Sequence, residues 1–194
     1  AYPSQRPMLF FWDHGGGLVG YGYDILNPTP DDSKVLTMPE ITGALAESGL
    51  TFDCIAFDAC LMQTLEVGMC LEPYTDYLLA SEEVEPGSGM YYTSAFSAMA
   101  QDPTMSTALF ASMICSSYDE YMTIQNDGKP NNVITMSLVD TRKTPAIYRT
   151  LTEWLDQRKA LFTTARTSFV DLSHARASAY AFMTDDHIDL VDFL

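Results

Sequence analysis

Positive charge is what this sequence has least of. Its 194 residues hold 10 Lys and Arg against 26 Asp and Glu, a formal net charge of −16. The shortage is local as well as global. The 94 residues between Lys34 and Lys129 contain neither Lys nor Arg, where average usage in this chain would place about five. Such a chain repels polyphosphate, which excludes a nucleic-acid surface as its working face and favours cationic partners. Long apolar runs are also missing: stretches such as Met8–Trp12 fall far short of the roughly 18 residues of a membrane span. Cysteine is sparse. Cys54, Cys60, Cys70 and Cys115 show no zinc-type pair spacing and are too few for a small disulfide scaffold, so the redox compartment stays open. The chain begins at Ala1 without Met or a basic-then-apolar leader, which reads as a processed chain or an excised piece.

What is present suffices for a core. A hydrophobic share of 47% with 12% aromatics excludes disorder and fits one globular domain, or most of one, over residues 1–194. Residues 1–97 hold 14 acidic side chains against Arg6 and Lys34 alone, so a site in this half works in a negative field that concentrates positive ligands.

Short apolar runs alternate with helical stretches. Met8–Trp12 predicts a buried strand that ends abruptly in Asp13-His14-Gly15-Gly16-Gly17. After a Pro/Asp loop at 27–33, Thr37-Met38-Pro39-Glu40 has the form of a capping box and predicts a helix running to about Gly49. Asp53–Asp58, Asp76–Ala80 and Val133–Val139 predict further strands. Helices are expected at 63–71, 93–100, 104–125 and 145–159, with loops at 81–89 and 126–130. The alternation argues an α/β fold, a mostly parallel sheet sandwiched by helices.

In an open parallel sheet functional groups gather at the carboxyl ends of strands, and two such ends here offer His14 and Cys60. That pair is the base and nucleophile of a cysteine hydrolase: the thiolate attacks a carbonyl, and the imidazole takes the thiol proton and later protonates the leaving amine. The negative oxygen that forms needs backbone donors, which the N–H groups of Gly15 and Cys60 are placed to supply. Taken singly, each residue has a plainer reading. A Gly triplet after a strand makes a turn, a loop histidine is solvated, and a cysteine is a small hydrophobe, as assumed for Cys54, Cys70 and Cys115. His174 and His187 lack such a setting.

Phe11-Trp12-Asp13-His14-Gly15-Gly16-Gly17 and Phe57-Asp58-Ala59-Cys60-Leu61-Met62 with Glu66-Val67 resemble the histidine and cysteine motifs of the clostripain family, clan CD cysteine peptidases. Ala80-Ser81-Glu82-Glu83-Val84-Glu85-Pro86-Gly87 and Ile188-Asp189-Leu190-Val191-Asp192-Phe193 resemble two further blocks, in family order. The resemblance implies a caspase-like fold and a secreted or cell-envelope bacterial endopeptidase that cuts after Arg or Lys. It also implies frequent self-cleavage and, in some members, calcium. His14 then matches the base, Cys60 the nucleophile and Asp58 the residue that pairs with a basic P1 side chain. A carboxylate beside the nucleophile would lower its reactivity unless a cation joined it; the alternative for Asp58 is a strand-end cap. Lys34, the only Lys or Arg from Gly15 to Ala59, is the candidate self-cleavage site, and a basic-free catalytic segment resists such cleavage. The acidic clusters Asp31-Asp32, Glu82-Glu83-Val84-Glu85 and Asp185-Asp186 invite calcium but lack EF-hand spacing and read as solvated faces, so no metal site is assigned.

Two other functions compete. His14-Gly15-Gly16-Gly17 is literally the oxyanion-hole form of α/β-hydrolase esterases, but no serine stands in a G-x-S-x-G elbow. A non-catalytic or incomplete caspase-like binding module would keep the fold without the activity. The strand at Met8–Trp12 reads as buried on both faces; at a sheet edge it would leave an unpaired apolar row. The resemblance therefore implies an N-terminal strand-helix segment covering it, carried by a separate chain of the same precursor, and a C-terminal continuation.

Overall fold

The computed structural model describes residues 4–24, 26, 35–129, 134–183 and 187–194. They divide into two compact units, residues 1–142 and 143–194. In the first, four strands form one sheet in the order β1-β2-β3-β4: Met8–Trp12, Phe52–Asp58, Thr75–Ser81 and Met136–Asp140. β1, β2 and β3 run parallel, with Phe11 opposite Phe57 and Trp12 opposite Asp58. Between them lie α1 (Met38–Ser48) and α2 (Leu65–Leu71), and after β3 come α3 (Thr93–Gln101) and α4 (Thr107–Gln125).

Alternation along the central strands builds two cores. Ile55 and Phe57 of β2 with Leu78 and Ala80 of β3 face Met38, Ile41 and Leu45 of α1 and Val67 and Leu71 of α2. Cys54, Ala56 and Leu79 point the other way, against Ala95 of α3 and Phe110, Ala111 and Ile114 of α4. Each large side chain sealed from water contributes about 1.5–3 kcal/mol, so helices on both faces make β2 and β3 the most stable part of the unit. The mostly parallel, helix-covered sheet is the predicted fold class.

Local signals hold. Glu40 accepts from both the N–H and the hydroxyl of Thr37 at 2.8 and 2.7 Å, and α1 stops at Gly49, whose φ of +64° is left-handed. Within that mostly parallel sheet β4 lies antiparallel to β3, starting beside its carboxyl end with Met136 opposite Ser81, because two helices in succession, α3 and α4, carry the chain away and back to the end at which β3 stopped; a single crossover helix would have made it parallel. β1 is the outermost strand among the described residues, half-buried from Met8 to Phe11 and 79% exposed at Trp12. Leu9 and Phe11 pack against one core and Met8 and Phe10 against the other, while the helices on each side cover chiefly β2 and β3.

The second unit holds α5 (Thr144–Thr164), α6 (Arg166–Ser178) and the short α7 (Leu190–Phe193). α5 runs five residues beyond its predicted end, and α6 is a helix the sequence pattern did not reveal, since few of its residues are buried and its apolar face is weakly marked. Asp189, in the last of the motif blocks, caps α7 by accepting from the N–H groups of Val191 and Asp192.

Candidate active site

Because β1 and β2 are parallel and Trp12 stands opposite Asp58, His14 and Cys60 leave neighbouring strand ends at the same level, two residues further on. Gly15 joins the two ends. A Cβ placed there would lie 2.2 Å from the Cys60 carbonyl oxygen, so the main chain after His14 abuts that of Cys60, and only glycine fits. Gly15→Ala is expected to destabilise the unit by ~1–3 kcal/mol through overpacking and to lower activity at least ~100-fold through misplacement. Thermal unfolding and the rate of Cys60 alkylation measure both; unchanged values would show that the two loops are not coupled.

The His14 loop is a tight ring. The His14 carbonyl accepts from Gly22 N–H at 2.8 Å, Gly16 N–H donates to the Gly20 carbonyl at 2.9 Å, and Tyr21 exchanges two bonds with Leu36. Beneath it the Phe11 and Phe57 rings stack at 4.7 Å, and the Tyr21 ring meets both edge-on. The His14 side chain is exposed at the mouth of a depression of about 210 Å³ lined by Gly15, Gly16, Val19 and Tyr23 among others. A larger space of about 570 Å³, bordered by Arg6, Asp53 and Tyr77, lies at the amino ends of the strands and touches none of these groups.

Cys60 is half-buried, and its Sγ accepts the Glu85 N–H at 3.2 Å. Immediately after it Leu61 takes a left-handed φ of +64°, a conformation costing an ordinary residue about 1–2 kcal/mol. Bonds from Leu61 N–H to the Glu83 carbonyl and from Gln63 N–H to the Ser81 carbonyl hold it. The sharp turn lifts the thiol off the strand end. Among the described residues neither the Gly15 nor the Cys60 N–H has a hydrogen-bond acceptor. The other three thiols differ in setting: Cys54 is buried, Cys70 and Cys115 half-buried. Burial pushes Cys54 up to about 12, Cys115 to about 11 and Cys70 upward, with Cys115 adding to the effect on Cys54 and Glu66 to that on Cys70. All three are held as unreactive thiols.

Asp58, the last residue of β2, is 5% exposed. One carboxylate oxygen accepts the Met90 N–H at 2.9 Å and the other the Tyr92 hydroxyl at 2.7 Å. Gly89, at φ +66°, brings its main chain so close that a Cβ would sit 2.9 Å from both oxygens. These partners lie more than thirty residues along the chain, so Asp58 is no local strand-end cap. Burial and then the bond to Asp58 drive the Tyr92 hydroxyl well above its ordinary range.

The acidic run after β3 is not the solvated face it resembles. Glu83 is buried, and both Glu85 carboxyl oxygens are shielded from water, because the 82–90 segment folds back over Cys60 and Asp58. Burial first, then the neighbouring Asp58, pushes Glu85 up to about 9. Glu85, Tyr92 and Tyr118 are therefore members of the site that sequence reasoning missed; the unbroken acidic run beside the cysteine motif was the one available signal. Lys34, Asp31-Asp32 and Asp185-Asp186 lie outside the described residues. Among the described residues no three His, Cys, Asp or Glu side chains are grouped to hold a metal ion. Nor is any described helix long and apolar enough to cross a membrane.

Solved structures similar to this chain include C11 cysteine proteases. A secreted C11 cysteine protease from Bacteroides thetaiotaomicron, in complex with an irreversible peptide inhibitor, is 26% identical with a TM-score of 0.59. A second from the same organism, iotapain, gives 0.60 at 19% identity, and an inactive zymogen C11 protease from Parabacteroides distasonis 0.56 at 21%. They match 75%, 80% and 77% of this chain, which spans 42%, 44% and 38% of theirs. No curated protein matched the sequence. The clostripain family model, in contrast, matches residues 1–192, and with the histidine and cysteine motifs side by side on parallel strand ends, the chain belongs to the clostripain family of C11 peptidases.

Proposed function

We propose that this chain carries the centre of a cysteine endopeptidase cutting after Arg or Lys. The observation that carries the reading is the meeting of the His14 loop and Cys60 at adjacent strand ends, with a buried carboxylate two residues before the nucleophile. In this mechanism His14 takes the Cys60 proton, and the thiolate attacks the scissile carbonyl. The N–H groups of Gly15 and Cys60, free of other acceptors among the described residues, receive the oxyanion. The imidazolium then protonates the leaving amine, and water, activated by the same imidazole, releases the acyl group. Asp58 receives the P1 cation, and the basic-free segment around it offers no bond for self-digestion.

A fluorogenic peptide panel varying only P1 tests this. Arg and Lys peptides are expected to be cut and neutral or acidic ones not; equal rates across the panel would remove the specificity. Rapid iodoacetamide labelling of Cys60 over the other three thiols separates the peptidase from a non-catalytic module. Self-processing after Lys34 belongs to the same reading, supported by the zymogen among the structural neighbours. It predicts a fragment beginning at Val35, found by N-terminal sequencing and abolished by Lys34→Ala. Secretion is supported by the two secreted neighbours from Bacteroides thetaiotaomicron, and a partner chain cut from one precursor belongs with the self-processing reading.

A further inference from the structure

Glu85 is a buried carboxyl group that the mechanism above does not use. Its N–H rests on the Cys60 Sγ, yet its two side-chain oxygens are shielded from water and accept no hydrogen bond from a described residue. The groups that bear on it are all neutral or acidic: Asp58 at the end of β2, the Tyr92 hydroxyl before α3 and the Tyr118 hydroxyl of α4, with Cys60 close to the last. On its own segment, Glu83 accepts the Val84 N–H. The Tyr92 hydroxyl is committed to Asp58. Tyr118 is 1% exposed, and its hydroxyl is a second polar atom without a partner among the described residues. The Ala59 N–H favours the ionised form of Glu85 but is outweighed.

Ionised, Glu85 would have no counter-ion and would face the Asp58 charge with only the Ala59 N–H in its favour. Protonated, it can donate to Asp58 and satisfy itself. Two carboxyl groups sharing one site hold one proton between them, as like charges so close cannot both persist unpaired. A guanidinium or ammonium entering the site supplies the missing counter-ion. The pair then carries two negative charges against one positive, so the net charge of the site stays at −1 while one proton leaves for water.

Building on the peptidase reading, we propose that Glu85 is a second specificity-determining carboxylate of the P1 site, and that entry of an Arg or Lys side chain displaces the proton Glu85 shares with Asp58.

The test uses Cys60→Ala protein, which cannot turn over, and a blocked peptide carrying Arg at P1. Calorimetry in two buffers of different ionisation enthalpy counts the protons released. At pH 7, two units below the value of about 9 for Glu85, binding is expected to release close to one proton. Affinity should rise about tenfold per pH unit above pH 7 and level off near pH 9, since below that point the proton must first be removed. Glu85→Gln should release none and flatten the profile, whereas Glu85→Asp, which keeps the acid, should retain release. Absence of proton release in the Glu85 protein, or the same release and slope in Glu85→Gln, overturns the proposal. Failure of any P1 peptide to bind, Arg or neutral, would overturn the peptidase reading as well. Binding of Arg peptides without proton release would overturn the Glu85 role alone.

Discussion

Cys60→Ala and His14→Ala are each expected to lower turnover of an Arg peptide by at least ~10⁴-fold, and the double variant to lose little more. The reason lies in the division of labour at the two strand ends. Without the sulfur there is no covalent intermediate; without the imidazole the thiol is not deprotonated and the leaving amine is not protonated, so either loss stops the same sequence of steps. The fold should survive both changes, because His14 is exposed and Cys60 only half-buried, outside the cores that α1, α2, α3 and α4 cover. Steady-state rates with matched circular dichroism spectra check this. Activity near the parent level in either variant would move the chemistry to other residues.

The second large effect is at Asp58. In Asp58→Asn the amide oxygen can still accept the Met90 N–H and its NH₂ can donate to the Tyr92 hydroxyl, so the bonds at 2.9 and 2.7 Å are retained in kind and the protein should fold. What is lost is the charge. Removing one partner of a buried ion pair costs about 3–5 kcal/mol, so kcat/KM for P1 Arg should fall by ~10² to 10⁴-fold while any slow cleavage of neutral peptides changes little. Much of the fall should appear in kcat as well as KM, because a P1 side chain without its anchor no longer holds the scissile bond against Cys60. An unaltered P1 profile would make Asp58 a purely structural tie between β2 and the 89–92 turn.

Both expectations rest on residues visible in the linear sequence, and the reason is physical. A run of apolar residues ended by glycines, a Thr-x-x-Glu box before Pro39 and a Gly at the end of a helical stretch act over a few residues, so strands β1 to β3 and helix α1 could be located from neighbours alone. Parallel strands separated by helices then bring the ends carrying His14 and Cys60 together, since residues at the carboxyl ends of adjacent strands meet whatever the loops do.

The partners of those residues were not legible in this way. Nothing near Asp58 in the sequence announces Met90 or Tyr92, and nothing in Glu82-Glu83-Val84-Glu85 separates a solvated acidic run from one folded back over a thiol. A carboxylate has the same composition in water as under a loop; its environment is set by chain closure across some thirty residues. The reversal of β4 depends likewise on how two helices in succession turn the chain, and the exposure of β1 on which strands the helices cover. The order of elements and the placing of His14 and Cys60 at neighbouring strand ends were thus encoded locally, whereas the burial of Glu85 beside Asp58, and with it the proposed sharing of a proton, arises from packing alone.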